Sequence, residues 1–123
     1  MSGKVVMVID DEKIVCDMAK IALRKEGYEV ETFVDLVLAV ERLKGRSFDL
    51  VITDLKMKGI DGMEVLRTIK EKYPATKVIM ITAFAHLSAA IEAFRGEVSD
   101  FFPKPIKLKE LVAAVKRAVG DEA

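Results

Sequence analysis

Three carboxylates, a hydroxyl and an ammonium stand at or just after short apolar runs in this sequence. Asp10 and Asp11 follow Val5–Ile9, Asp54 follows Leu50–Thr53, Thr82 follows residues 78–81, and Lys104 follows Phe101-Phe102-Pro103. Two carboxylates about 4 Å apart repel by roughly 4 kcal/mol at an effective dielectric of about 20, so a site that gathers three of them needs a cation. Hard oxygen ligands suit Mg²⁺, which takes a few carboxylates together with phosphate oxygens. An aspartate is also a competent nucleophile toward phosphorus and forms an aspartyl phosphate. Lys104 would then pair with phosphoryl oxygens, and the Thr82 hydroxyl would donate a hydrogen bond to one. Singly, each residue has an ordinary reading. Asp10 or Asp11 caps a helix, Asp54 sits in a turn, Thr82 is strand propensity, and Lys104 is a solvated lysine. The chemical reading rests on all five falling at equivalent places.

The elements that must position them follow from hydrophobic periodicity. The runs at 5–9, 50–53 and 78–81 are continuous, as in parallel strands buried on both faces. Residues 28–33 alternate apolar with polar and read as a half-buried strand nearer an edge. Phe101-Phe102 is a fifth strand that Pro103 must stop or confine to an edge. Helical stripes intervene: Ile14, Met18 and Ile21; Leu36, Val40 and Leu43; Met63, Leu66, Ile69 and Tyr73; Ile91 and Phe94; and Leu108, Leu111, Val112, Val115 and Val119. Gly27, Gly45, Pro74, Gly96 and Gly120 end them in turn. Five strand–helix units predict an α/β fold, a doubly wound parallel sheet with right-handed crossovers. Ligands of such sheets sit at the carboxyl ends of the strands, where the residues above stand.

Composition narrows the function. The 123 residues suit one domain, with a core at about residues 4–119. Lys plus Arg equal Asp plus Glu at 20 each, which argues against bulk attraction to nucleic acid or to an anionic membrane. The single Cys16 forms no internal disulfide and reads as a packing residue. No apolar run has the length of a membrane span or the form of a signal peptide, so the expected location is cytoplasmic. His86 is the only histidine, which removes histidine-based metal sites.

In its motifs the chain resembles the receiver domain of two-component response regulators. The motifs are Val8-Ile9-Asp10-Asp11-Glu12, Asp54-Leu55-Lys56-Met57 with Asp61-Gly62, Ile81-Thr82-Ala83, and Phe102-Pro103-Lys104-Pro105. The stretch Asp61-Gly62-Met63-Glu64-Val65-Leu66 is most similar to receivers of enhancer-binding transcription activators. The resemblance implies a flavodoxin-like (βα)5 sheet of strand order 2-1-3-4-5. It implies Asp54 as phosphoacceptor, and Mg²⁺ held by Asp11 directly, Asp10 through water, Asp54 and the backbone carbonyl of Lys56. It makes Lys104 the phosphate-contacting lysine, with a cis bond to Pro105, and Thr82 and Phe101 the switch pair. The implied partners are a sensor histidine kinase or phosphotransfer protein, and a second copy through the fourth helix, fifth strand and fifth helix. Such a domain is a phosphoacceptor with its own phosphorylation and dephosphorylation chemistry rather than an enzyme. The sequence departs from the pattern at Lys58, where proline is common, and at Gly96, one residue early.

Other readings carry less. A flavin or nucleotide module of the same topology needs a glycine- or hydroxyl-rich phosphate loop, and Asp10-Asp11-Glu12 stands there instead. A phosphatase with an aspartate nucleophile needs an acid nearby for the leaving group, and position 56 is Lys. A degenerate receiver that only docks partners would not need the full set Asp10, Asp11, Asp54, Thr82 and Lys104.

Overall fold

The computed structural model describes residues 3–57 and 60–121. Lys58, the first departure noted above, lies outside the described residues. Strands and helices alternate: β1 (Val5–Ile9), α1 (Lys13–Lys25), β2 (Glu29–Phe33), α2 (Leu36–Gly45), β3 (Leu50–Thr53), α3 (Gly62–Lys72), β4 (Lys77–Thr82), α4 (Leu87–Arg95), β5 (Asp100–Pro103) and α5 (Leu108–Val119). The five strands form one sheet in the order β2-β1-β3-β4-β5, every pair parallel. A two-residue antiparallel ladder, Lys56–Met57 with Ile60–Asp61, closes the loop after β3 and was not expected.

Alternation along the central strands builds two cores, because successive side chains point to opposite faces. Met7, Ile9, Val51, Val78 and Met80 pack with Leu36, Leu43, Leu66, Ile69 and Ala93 of α2, α3 and α4. Val6, Val8, Leu50, Ile52, Ile79 and Ile81 pack with Cys16, Leu23, Leu111 and Val115 of α1 and α5. Both faces are therefore covered, and the runs at 5–9, 50–53 and 78–81 are apolar throughout for that reason. Pro103 ends β5, which is an edge strand. A proline there removes no ladder hydrogen bond from a central position.

Two helices turn a face other than the expected one to the sheet. In α1 the buried stripe is Cys16, Ala19 and Leu23, while Ile14, Met18 and Ile21 are exposed. In α4 Ala89 and Ala93 are buried, while Ile91 and Phe94 are exposed. Small side chains let these helices lie close to the strands, and larger apolar residues elsewhere on the helix stay outside. No helix among the described residues is long and apolar enough to cross a membrane.

Candidate functional site

Sheet register assembles the site. Ile9 pairs with Thr53, and the Asp54 N–H donates to the Ile9 carbonyl at 3.2 Å, so Asp10 and Asp54 leave adjacent strand ends side by side. Thr53 pairs with Met80, which carries Thr82 past the end of β3. Thr82 pairs with Pro103, and the Lys104 N–H donates to the Thr82 carbonyl at 2.9 Å. The Lys104–Pro105 peptide bond is cis.

Side chains converge accordingly. One oxygen from each of Asp10, Asp11 and Asp54 lies within 4.8 Å of the others. The Lys104 ammonium reaches into the group, 2.7 Å from Asp54 Oδ2, 2.8 Å from Asp10 Oδ2 and 2.9 Å from Glu12 Oε2. It donates hydrogen bonds to Asp54 and Glu12. Asp10 Oδ2 is buried with no aligned hydrogen bond, while Asp10 Oδ1 accepts from the Glu12 N–H at 2.9 Å. Burial raises the Asp10 carboxyl above its ordinary range, and the Asp54 charge adds to that; Lys104 and the Glu12 N–H pull the other way without cancelling it. Burial works against the charged form of Lys104 as well, but its contacts with Asp10, Asp54 and Glu12 outweigh burial and hold its pKa above the usual lysine value.

Three crowded carboxylates, among them a buried Asp10 Oδ2 paired with Lys104 but without an aligned hydrogen bond, fit a hard divalent cation. The donors are all oxygen, and Asp11 is partly exposed, which leaves an open side for water or a phosphate oxygen.

Thr82 is fully buried, and its Oγ1 accepts the Phe84 N–H at 3.0 Å. Phe101 is partly buried and packs on the same core cluster as Ala89 and Ala93 of α4. Lys56 enters the short ladder through its backbone. Cys16 is buried, and its thiol donates to the Asp10 carbonyl at 3.4 Å. Burial, with the Asp10 charge, pushes that thiol up to about 11, in keeping with a packing role.

Two residues act at the site in ways not read from the sequence. In the sequence Glu12 is only part of an acidic motif, yet its carboxylate reaches Lys104. Gly62, seen only as a motif residue, opens α3 against the Asp54 backbone. A Cβ at Gly62 would overlap the Asp54 carbonyl, and the Gly62 N–H donates to the Leu55 carbonyl at 2.6 Å. Any other residue would push α3 away from the Asp54 loop.

Known proteins resemble this chain in sequence and in fold. Residues 6–116 match the family described as the response regulator receiver domain. The DNA-binding transcriptional regulator NtrC of Escherichia coli K12 is 34% identical over 120 residues, covering 98% of this chain and 26% of NtrC. The chain thus spans about a quarter of that relative's length. A CheY-like receiver domain from Methanospirillum hungatei superposes with a TM-score of 0.90 at 25% identity, covering 96% of this chain and 94% of that one. The beryllofluoride-activated NtrC4 receiver domain dimer gives 0.89 at 28% identity, covering 95% and 97%.

Proposed function

The chain belongs to the response regulator receiver domain family, and from that premise we propose that it accepts a phosphoryl group on Asp54 from a histidine kinase or phosphotransfer protein. The observation that carries this reading is the Lys104 ammonium, 2.7 Å from Asp54 Oδ2, beside the clustered oxygens of Asp10, Asp11 and Asp54. An Asp54 oxygen attacks phosphorus while the phosphorus–nitrogen bond of the donor's phosphohistidine breaks, its electron pair returning to the imidazole. Bound Mg²⁺, held by Asp10, Asp11, Asp54 and the Lys56 carbonyl, would neutralise charge on the transferring group. Lys104 pairs with the phosphoryl oxygens, and the Thr82 hydroxyl exchanges its bond from the Phe84 N–H for one to the phosphoryl group. That movement frees room for Phe101 to turn inward and biases the surface of α4, β5 and α5 toward an output domain or a second copy.

The groove beside the site, lined by Met18, Pro105, Ile106 and Leu108 together with Glu12 and Lys104, would give a donor protein a surface to rest on while it reaches Asp54. In the cell the expected location is the cytoplasm, where such donors present their phosphohistidine.

Intact mass spectrometry after incubation with Mg²⁺ and acetyl phosphate tests the assignment. The wild type is expected to gain one phosphoryl group and Asp54→Asn none. Equal labelling of both proteins would overturn it.

A further inference from the structure

Glu12 occupies the residue before α1, with an extended backbone, φ −89° and ψ 106°. That capping position favours Ser, Thr, Asp or Asn, whose short side chains bond the first helical N–H groups. The Glu12 side chain makes no such bond. Its backbone does the local work instead: its N–H is held by Asp10 Oδ1, and its carbonyl accepts from the Val15 and Cys16 N–H groups. The carboxylate is thereby left over for Lys104, at 2.9 Å.

The placement of that ammonium creates a competition. Asp10 and Asp54 belong both to the set that contacts Lys104 and to the set of clustered oxygens suited to a divalent cation. Glu12 belongs only to the first. Its side chain is 57% exposed, against 0% for Asp10 and 6% for Asp54, so it meets Lys104 from the solvent side of the cluster. A cation arriving at Asp10 and Asp54 repels the ammonium, and the carboxylate left to receive it outside the cation's set is Glu12.

We propose that Glu12 is a positioning residue, a tether that draws the Lys104 ammonium outward from Asp10 when the divalent cation binds. The inference rests on the phosphoacceptor reading above. With Lys104 inside the cluster Glu12 is one of three carboxylate partners; with Lys104 withdrawn from Asp10 its share of the pairing is larger. Removing Glu12 therefore destabilises the withdrawn state more than the inserted one and shifts the population against the cation.

Calorimetric titration of MgCl2 into the protein at neutral pH and fixed ionic strength reads this directly, without phosphoryl transfer. Glu12→Gln is expected to weaken Mg²⁺ binding about threefold, the scale of one partly exposed ion pair. In a Lys104→Gln background the same change is expected to have less than half that effect on a logarithmic scale, because the group it acts through is gone. Glu12→Asp, which keeps the charge and shortens the reach, is expected to weaken binding as Gln does; this arm needs no Lys104 variant. An equal factor in both backgrounds, or wild-type affinity in Glu12→Asp, would show that Glu12 acts by bare charge and would overturn the tether. Absence of Mg²⁺ binding by the wild type would overturn the phosphoacceptor reading along with it.

Discussion

Glu97 adopts φ +71°, a left-handed backbone that residues with a Cβ rarely take. The early glycine noted in the sequence has its explanation next door. Gly96 has an ordinary φ of −80°, but a Cβ there would lie 2.6 Å from Leu66 Cδ2, and Leu66 is fully buried. Adjacent positions thus favour glycine for different reasons, one for close packing and one for backbone conformation, and the chain supplies it at the first. Glu97→Gly is expected to stabilise the domain by about 0.5 kcal/mol, the left-handed penalty of about 1–2 kcal/mol less the added entropy of an unfolded glycine. Thermal unfolding would show a higher midpoint; an unchanged or lower one would mean the conformation carries no strain. At this scale Asp10, Asp54, Thr82 and Lys104 were legible because strand ends mark them in the chain. Glu12, Gly62 and Gly96 were not, because each depends on a tertiary neighbour, namely Lys104, the Asp54 carbonyl and Leu66, and the left-handed turn at Glu97 carries no residue type that marks it.

At the scale of elements, periodicity located all five helices but not always their inner faces. A stripe of large apolar residues is a sound guide where the helix stands off the sheet, as with Met63, Leu66 and Ile69 of α3. It misleads where alanine and cysteine make the contact, as in α1 and α4. The edge strand β2 shows how polar residues join elements instead. Glu31 accepts two hydrogen bonds from Arg42 of α2, at 2.8 and 2.9 Å, and a third from Arg46 at 3.2 Å. The Arg42 hydrogen bond, against opposing burial, holds the Glu31 carboxyl below its usual value of 4.5. A carboxyl lowered on folding contributes stability above its unfolded pKa and loses it as pH falls through the folded one. Glu31→Gln is therefore expected to cost about 0.5–1 kcal/mol at neutral pH, kept small because both partners are partly exposed. The difference from wild type should shrink as pH drops below 4.5. Urea unfolding across that range measures it, and a gap independent of pH would remove the ion pair as its cause.

For the whole molecule, topology was legible because both-face burial leaves continuous apolar strands, whereas periodicity alone did not separate the outer face of α4 from its inner one. The apolar stripe of α4, Ile91 and Phe94, lies on its exterior, 44% and 52% exposed, together with Leu87 at 77% and Phe84 at 53% in the preceding loop. Contiguous exposed apolar residues mark interaction surfaces. This one sits on the element whose inner side, Ala89 and Ala93, shares a core cluster with Phe101, while Thr82 holds the N–H of Phe84. Under the proposed switch, a change at Thr82 would reach the patch through the Phe84 N–H, and one at Phe101 through the cluster it shares with Ala89 and Ala93. A second copy would satisfy the patch in a two-fold arrangement, each copy covering the other's equivalent residues, and the similar NtrC4 receiver domain is a dimer when activated by beryllofluoride. In sedimentation equilibrium the wild type is expected to shift from monomer toward dimer on addition of Mg²⁺ and beryllofluoride. The double variant Leu87→Asp/Phe94→Asp should stay monomeric while still gaining one phosphoryl group from acetyl phosphate, since neither side chain contributes to the carboxylate cluster. A wild-type mass that does not change, or a variant that dimerises equally well, would show that this face serves another partner or none.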